Sequence, residues 1–364
     1  MNTSANPNLV AEVNPAQAAK FCVKVILASR AARKRGSDMN IVPLMVGQPG
    51  LGKTSVARQI ARKLGYDGTV VITPTIYTVF DLRGLPTAQG SLEGKDLRTV
   101  FAAGGVLPTE GKYIVLVDEL ADCPIHEQSG FYQLFLERRV GDYVLPEGCD
   151  VIGATNDETH GACANPISAA IKTRVAVVRV KPCPEQTVKY AVENGWHPRV
   201  IAFIKAQPDC VVNGFDKDDY AGGCTGRGLE MLSELERDGM PGEEILVESL
   251  CTGLLGAEYG ARYNTFRNIQ VPDPELVFSG PEDAPVPADL SERFLYCCLV
   301  VNAANVGEAG PGRLDRVLDY AARLNRVDGI GLVMDSVRRY AKSLKGTSVM
   351  RRVAEEYAEE LQNL

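Results

Sequence analysis

Eight residues, Gly47-Gln48-Pro49-Gly50-Leu51-Gly52-Lys53-Thr54, constrain this chain more than any other feature. Three glycines within six positions weaken any regular element, so this stretch must turn the chain. The apolar run Ile41 to Val46 precedes it, and Thr54 to Leu64 follows with helical spacing and Gly65 just beyond its end. Strand, glycine loop and helix in that order fit the pattern Gly-x-x-x-x-Gly-Lys-Thr, whose backbone N–H groups can close around phosphate oxygens. Lys53 should then reach the β and γ phosphates of a nucleoside triphosphate, and Thr54, followed by Ser55 in the same turn, should ligate Mg²⁺. The plain alternative is a strand-to-helix turn with a solvated lysine.

Further short apolar runs at Thr69 to Ile72, Tyr113 to Val117, Val151 to Ala154 and Val175 to Val180 read as strands buried on both faces. Helical spacing at Pro15 to Arg35 and Glu127 to Arg139 interrupts them. This alternation predicts an α/β fold: a doubly wound, mostly parallel sheet with ligands at the carboxyl ends of its strands. Residues 1–14 read as a disordered tail and 15–182 as the P-loop ATPase core. Within the core, the glycine-rich stretch from Asp81 to Pro108 reads as an inserted hairpin. After Pro182 and Pro184 the texture becomes helical, giving a lid at 183–243 and a C-terminal helical extension at 244–364.

The chemistry follows from what stands at the strand ends. Asp118-Glu119 closes the run Tyr113 to Val117, so Asp118 is expected to hold Mg²⁺ and Glu119 to activate the attacking water. Asn156 closes the next run, where a neutral amide can hold water or the γ phosphate without adding negative charge. Arg174 opens the following strand and is a candidate to neutralise charge on a neighbouring subunit's nucleotide. A surface ion pair is its plain alternative, and Arg138 and Arg139 compete for the same role. Arg227 sits in Thr225-Gly226-Arg227-Gly228, at the start of a helix from which it could reach the nucleotide.

With net charge −7 the chain lacks the electrostatic footprint of non-specific nucleic-acid binding, so nucleic acid is an unlikely partner on this reading and a protein the expected one. No run approaches the roughly 20 apolar residues of a membrane span. Ten cysteines without a C-x-x-C pair suggest reduced thiols of a cytoplasmic protein. His126, His160 and His197 are too dispersed for a metal site.

Gly47 to Thr54, Asp81-Leu82-Arg83-Gly84-Leu85-Pro86, Val115 to Leu120, Glu137 to Tyr143, Ala154-Thr155-Asn156 and Thr225-Gly226-Arg227 together resemble the MoxR-like branch of the AAA+ ATPases, within the dynein-related group. The resemblance spans about residues 15 to 240. It implies an ATP-driven, chaperone-like motor assembled as a homo-oligomeric ring, usually a hexamer. Arg174 would be its arginine finger, Asn156 its sensor 1 and Arg227 its sensor 2. Segments 81–108 and 138–146 would be hairpins facing a pore or client, and a protein with a von Willebrand factor A domain, beside which members often work, would be a candidate client. Two other readings share the same parts: a nucleic-acid motor or loader, and a scaffold that binds ATP without turning it over. The retained Glu119, Asn156 and Arg174 speak against the scaffold, and the absence of Asn-Lys-x-Asp speaks against a GTPase. A small-molecule kinase is disfavoured by the helical second domain.

Overall fold

The computed structural model describes residues 10, 12–37, 40–77, 79–89, 98–102, 105–125, 128–157, 165–287, 290–305, 311–324, 351, 352 and 355. The chain divides into two units, Met1–Pro182 and Cys183–Leu364.

Six parallel strands build the sheet of the first unit. Their order is β1 (Glu12–Val13), β10 (Val175–Val180), β2 (Val42–Val46), β9 (Asp150–Thr155), β6 (Tyr113–Val117) and β3 (Gly68–Ile72). The two-residue period of a strand sorts its side chains onto opposite faces. On one face Met45, Ile114, Leu116, Ile152 and Ala154 pack with Ala18, Cys22 and Ile26 of α1 (Pro15–Lys34) and Val56, Ala57 and Ile60 of α2 (Lys53–Leu64). On the other, Leu44, Val115, Val117 and Val151 pack with Phe131, Leu134 and Phe135 of α4 (Gln128–Glu137). Cover on both sides is why these strands read as continuous apolar runs. Each large side chain so buried contributes about 1.5–3 kcal/mol.

The tail is shorter than its composition implies. Glu12 and Val13 pair with Arg179 and Val180, and Asn14 opens α1. There the Asn14 side chain accepts the Gln17 N–H at 2.8 Å while the Gln17 side chain accepts the Asn14 N–H at 3.0 Å. Such reciprocal capping satisfies two backbone donors left open at a helix start. A two-residue edge strand is made by a distant partner, so local polarity conceals it. The rest of the expected tail, residues 1–9 and 11, lies outside the described residues.

Helix α4 stops at Glu137 because Arg138 takes a left-handed φ of 57°. Its guanidinium turns inward, donating to the carbonyls of Cys149 (2.7 Å) and Pro146 (2.6 Å). Nearby, the buried Asp150 accepts from Arg30 (2.7 Å), Arg33 (2.9 Å) and Tyr66 (2.7 Å), fixing the amino end of β9 to α1. Burial first, then the neighbouring Arg33, lowers the Arg138 pKa.

Within the segment expected to be a hairpin excursion, α3 (Val79–Arg83) leads into the antiparallel pair β4 (Leu85–Gln89) and β5 (Arg98–Ala102). The intervening residues 90–97 lie outside the described residues. A smaller pair, β7 (Arg139–Val140) and β8 (Tyr143–Val144), follows α4, and α5 (Ala169–Lys172) precedes β10.

The second unit is helical among its described residues: α6 (Pro184–Glu193), α7 (Pro198–Ala206), α8 (Asp209–Val212), α9 (Gly226–Asp238), α10 (Glu244–Arg267), α11 (Glu275–Ser279), α12 (Leu290–Asn305) and α13 (Pro311–Leu324). One apolar core runs from Val188 to Ala321 and includes Trp196 beside the helix-capping His197. The segments read as lid and as extension therefore share a core. The extension beyond residue 324 lies outside the described residues apart from three positions. The nine described cysteines are free thiols, eight of them buried; Cys163, His126 and His160 fall outside the described residues. No described helix is long and apolar enough to cross a membrane.

Candidate nucleotide site

Strand order assembles the site. β9 lies between β2 and β6, with Val46 opposite Thr155 and Val117 opposite Gly153. The residues that follow these three strands therefore emerge at one sheet edge, within about two strand spacings of ~4.8 Å. The chain leaving β2 crosses to β3 on the far side of β6, so the edge is also where the winding direction switches, the usual place for a ligand crevice.

Gly47 continues β2, donating its N–H to the Thr155 carbonyl at 3.3 Å. A β-carbon there would lie 2.5 Å from the Val180 carbonyl oxygen, so only glycine lets the loop leave between β9 and β10. Gly47→Ala is expected to lower stability by about 1–3 kcal/mol, the usual penalty of overpacking. A thermal melt checks it, and an unchanged melting temperature would show that the backbone yields there. Gly52, at φ +76°, makes the left-handed turn into α2 that side chains resist.

Lys53 is only 8% exposed. Its ammonium donates to the carbonyls of Gly47 (2.8 Å) and Gln48 (3.0 Å) and to the Asn156 side-chain oxygen (3.0 Å). The lysine from one strand end and the amide from the next thus meet in one pocket. Beside them the Thr54 hydroxyl donates to a carboxylate oxygen of Asp118 at 2.6 Å. A hydroxyl and a carboxylate held side by side are hard oxygen donors suited to Mg²⁺. Gly47, Gln48, Pro49, Gly50, Leu51, Gly52, Lys53, Thr54 and Ser55 form the turn and first helical residues around this point.

Asp118 extends the sheet by one bond, its N–H donating to the Ile72 carbonyl at 2.9 Å. The exposed Glu119 then adopts φ 58°, unusual for a residue with a β-carbon, and turns the chain into a short 3₁₀ segment at Leu120–Asp122. Ala121 donates its N–H to the Thr155 hydroxyl at 3.1 Å, which ties the acidic loop to β9 beside Asn156. Strain of this kind, about 1–3 kcal/mol, recurs at functional sites.

Arg174 stands elsewhere. β10 runs parallel to β2 with Val175 opposite Val42, so Arg174 lies at the amino edge of the sheet. The phosphate loop leaves the opposite edge, roughly 16 Å away at ~3.3 Å per strand residue. An arginine side chain does not span that distance. Its guanidinium stacks 4.3 Å over the Tyr132 ring and donates to the Ala170 carbonyl (2.7 Å) and the Thr173 hydroxyl (2.6 Å). Neither rival suits a trans-acting role: Arg138 is buried, and Arg139 donates to the Gly141 carbonyl at 3.0 and 2.7 Å, closing its own hairpin. Arg227 belongs to the second unit, exposed on the first turn of α9, which Thr225 caps by accepting the Gly228 N–H at 3.1 Å. Reading the sequence passed over Gln128 and Tyr132, because one polar and one aromatic residue among apolar neighbours on a helix leave no distinguishing pattern.

Residues 6–97 match the family described as the Holliday junction DNA helicase RuvB P-loop domain. The fold is that of a P-loop NTPase. Among curated proteins, the Holliday junction branch migration complex subunit RuvB of Anaeromyxobacter sp. (strain K) is 48% identical over 66 residues, 18% of each chain. Its counterpart in Anaeromyxobacter sp. (strain Fw109-5) is 47% identical over 60 residues, 16% of this chain and 17% of that one. The matches thus span less than a fifth of those relatives' length. The solved Thermotoga maritima RuvB Holliday junction branch migration motor aligns over 82% of this chain and 87% of its own at 17% identity, with a TM-score of 0.35.

These matches support a P-loop NTPase and do not support the MoxR-like branch. They also correct the reading that set nucleic acid aside and took a von Willebrand factor A protein as candidate client, since the matched domain is named for a DNA helicase and the relatives for the Holliday junction. Net charge does not exclude such a partner, because it averages over the whole chain, whereas a nucleic-acid contact is a local surface.

Proposed function

We propose that this chain is an AAA+ ATPase that hydrolyses ATP to act on nucleic acid, assembled so that one subunit's Arg174 completes the next subunit's site. Support for the nucleic-acid part is the match of residues 6–97 to the P-loop domain of a DNA helicase. Support for hydrolysis is the meeting of Lys53 with Asn156 and of Thr54 with Asp118. The phosphate loop and Lys53 hold the triphosphate, Thr54 and Asp118 hold Mg²⁺, which neutralises phosphate charge, Glu119 accepts the water's proton, and Asn156 orients the water. Arg174, at the edge away from its own loop, serves the neighbour; Arg227 is assigned the sensing of nucleotide from the second unit.

The test is ATP turnover with and without a four-way DNA junction at low salt. A several-fold rise, fading as salt increases, is expected. No binding and no rise at about 50 mM salt would remove nucleic acid as the partner. A second reading, remodelling of a protein chain, is favoured by one observation: Ile76, Leu85 and Val144, in or near the two hairpins, are 70%, 69% and 65% exposed. On that reading turnover responds to unfolded polypeptide instead of DNA.

A further inference from the structure

The side chain of Gln128 is buried completely at the first position of α4, and every group on it is used. Its amide nitrogen donates to the Cys123 carbonyl (3.1 Å) and the Pro166 carbonyl (3.2 Å), and its oxygen accepts the Ser168 N–H (2.9 Å). Two carbonyls and one N–H fix which end of the amide is which. Cys123 closes the 3₁₀ segment that Glu119 opens as its N-cap, and Ser168 caps α5, the helix that leads to Arg174. Asn165 adds to the seam: its N–H donates to the Ala121 carbonyl at 3.1 Å and its side chain to the Asp122 carbonyl at 3.4 Å.

One helical turn along α4, four residues from Gln128 and therefore on the same face, stands Tyr132. Its ring is the platform under the Arg174 guanidinium, 4.3 Å away. A single helix face thus grips the loop after Glu119 at one end and the arginine at the other. Apolar packing alone would hold α4 to the sheet through Phe131, Leu134 and Phe135, which need neither the amide nor the ring contact.

We propose that Gln128 and Tyr132 are positioning residues that lock Arg174 to the Glu119 loop, so that a subunit's arginine is offered to its neighbour according to the state of its own nucleotide. The proposal rests on Arg174 acting on the neighbour's ATP. Its test is a double-mutant cycle on the full chain, reading kcat and KM for ATP. Tyr132→Leu, which removes the platform from a half-buried site, is expected to lower kcat roughly tenfold with KM unchanged, in line with a part-buried cation–π contact. Tyr132→Phe keeps the ring and should keep the rate.

In an Arg174→Ala background, Tyr132→Leu should not lower kcat further, because Tyr132 acts through the arginine, and Gln128→Met should lower it less than in the unaltered chain. Losses that multiply in that background would overturn the coupling while leaving Arg174 as the trans-acting cation. Wild-type turnover by Arg174→Ala alone would overturn the reading of Arg174, and the coupling with it. Unchanged kcat in Tyr132→Leu would also overturn the coupling. Where Gln128→Met fails to fold, because three buried backbone groups lose their partner, the Tyr132 pair decides the outcome.

Discussion

Lys53→Ala is expected to weaken ATP affinity by about 10²- to 10⁴-fold while leaving the fold in place. The lysine sits at the first residue of α2, where its ammonium is held by the Gly47 and Gln48 carbonyls and by Asn156. Those contacts aim the charge across the mouth of the loop, so a triphosphate entering the cradle exchanges neutral acceptors for charged ones. Charge-assisted hydrogen bonds contribute about 1.5–3 kcal/mol each. Two of them, to the β and γ phosphates, amount to about 3–6 kcal/mol, and each 1.4 kcal/mol is tenfold in affinity. Alanine is compatible with a helix start, and the apolar face of α2, Val56, Ala57 and Ile60, is untouched. Titration with a fluorescent ATP analogue, beside a circular-dichroism melt, separates lost binding from lost fold. Unchanged affinity would remove the phosphate-loop assignment.

Much of the geometry of this pocket was legible because a parallel sheet covered on both faces leaves continuous apolar runs, and the polar residues of the pocket stand just past the end of each run. Ile41 to Val46, Tyr113 to Val117 and Val151 to Ala154 announced Gly47, Asp118 and Asn156 in that way. Hidden from the sequence was that β9 inserts between β2 and β6, which brings Asn156 to Lys53. Strand order is decided by crossovers, and no local pattern encodes it. Arg138 stood as a rival to Arg174, yet backbone carbonyls bury the first and an aromatic ring supports the second. Edge strand β1 escaped notice for the same reason: two residues beside a distant strand carry no periodicity. Helices of the second unit were readable from their spacing. That α6 through α13 share one core was not, since spacing reports which face is apolar and not what covers it.

Glu119→Gln should bind ATP as the unaltered chain does and turn it over about 10²-fold more slowly or worse, the range general-base removal produces. The substitution keeps size and hydrogen-bonding reach and removes only the ability to take a proton. Local geometry makes the comparison clean. Glu119 is exposed, its N–H donates to the Asp118 carboxylate at 3.1 Å, and the left-handed turn at φ 58° is set by the backbone on either side. Glutamine adopts that turn at a cost close to glutamate's, so the Thr54–Asp118 contact at 2.6 Å and the lysine pocket stay intact. A drop in kcat with unchanged nucleotide affinity, followed by single-turnover phosphate release, isolates the proton-accepting step from binding and product release. Asp118→Asn offers the contrasting pattern: it removes the negative charge proposed to hold Mg²⁺ and should weaken Mg²⁺-dependent binding along with turnover. Full turnover by Glu119→Gln would move the base elsewhere in the pocket, and the strained turn at Glu119 would then serve only to swing the chain back under β9.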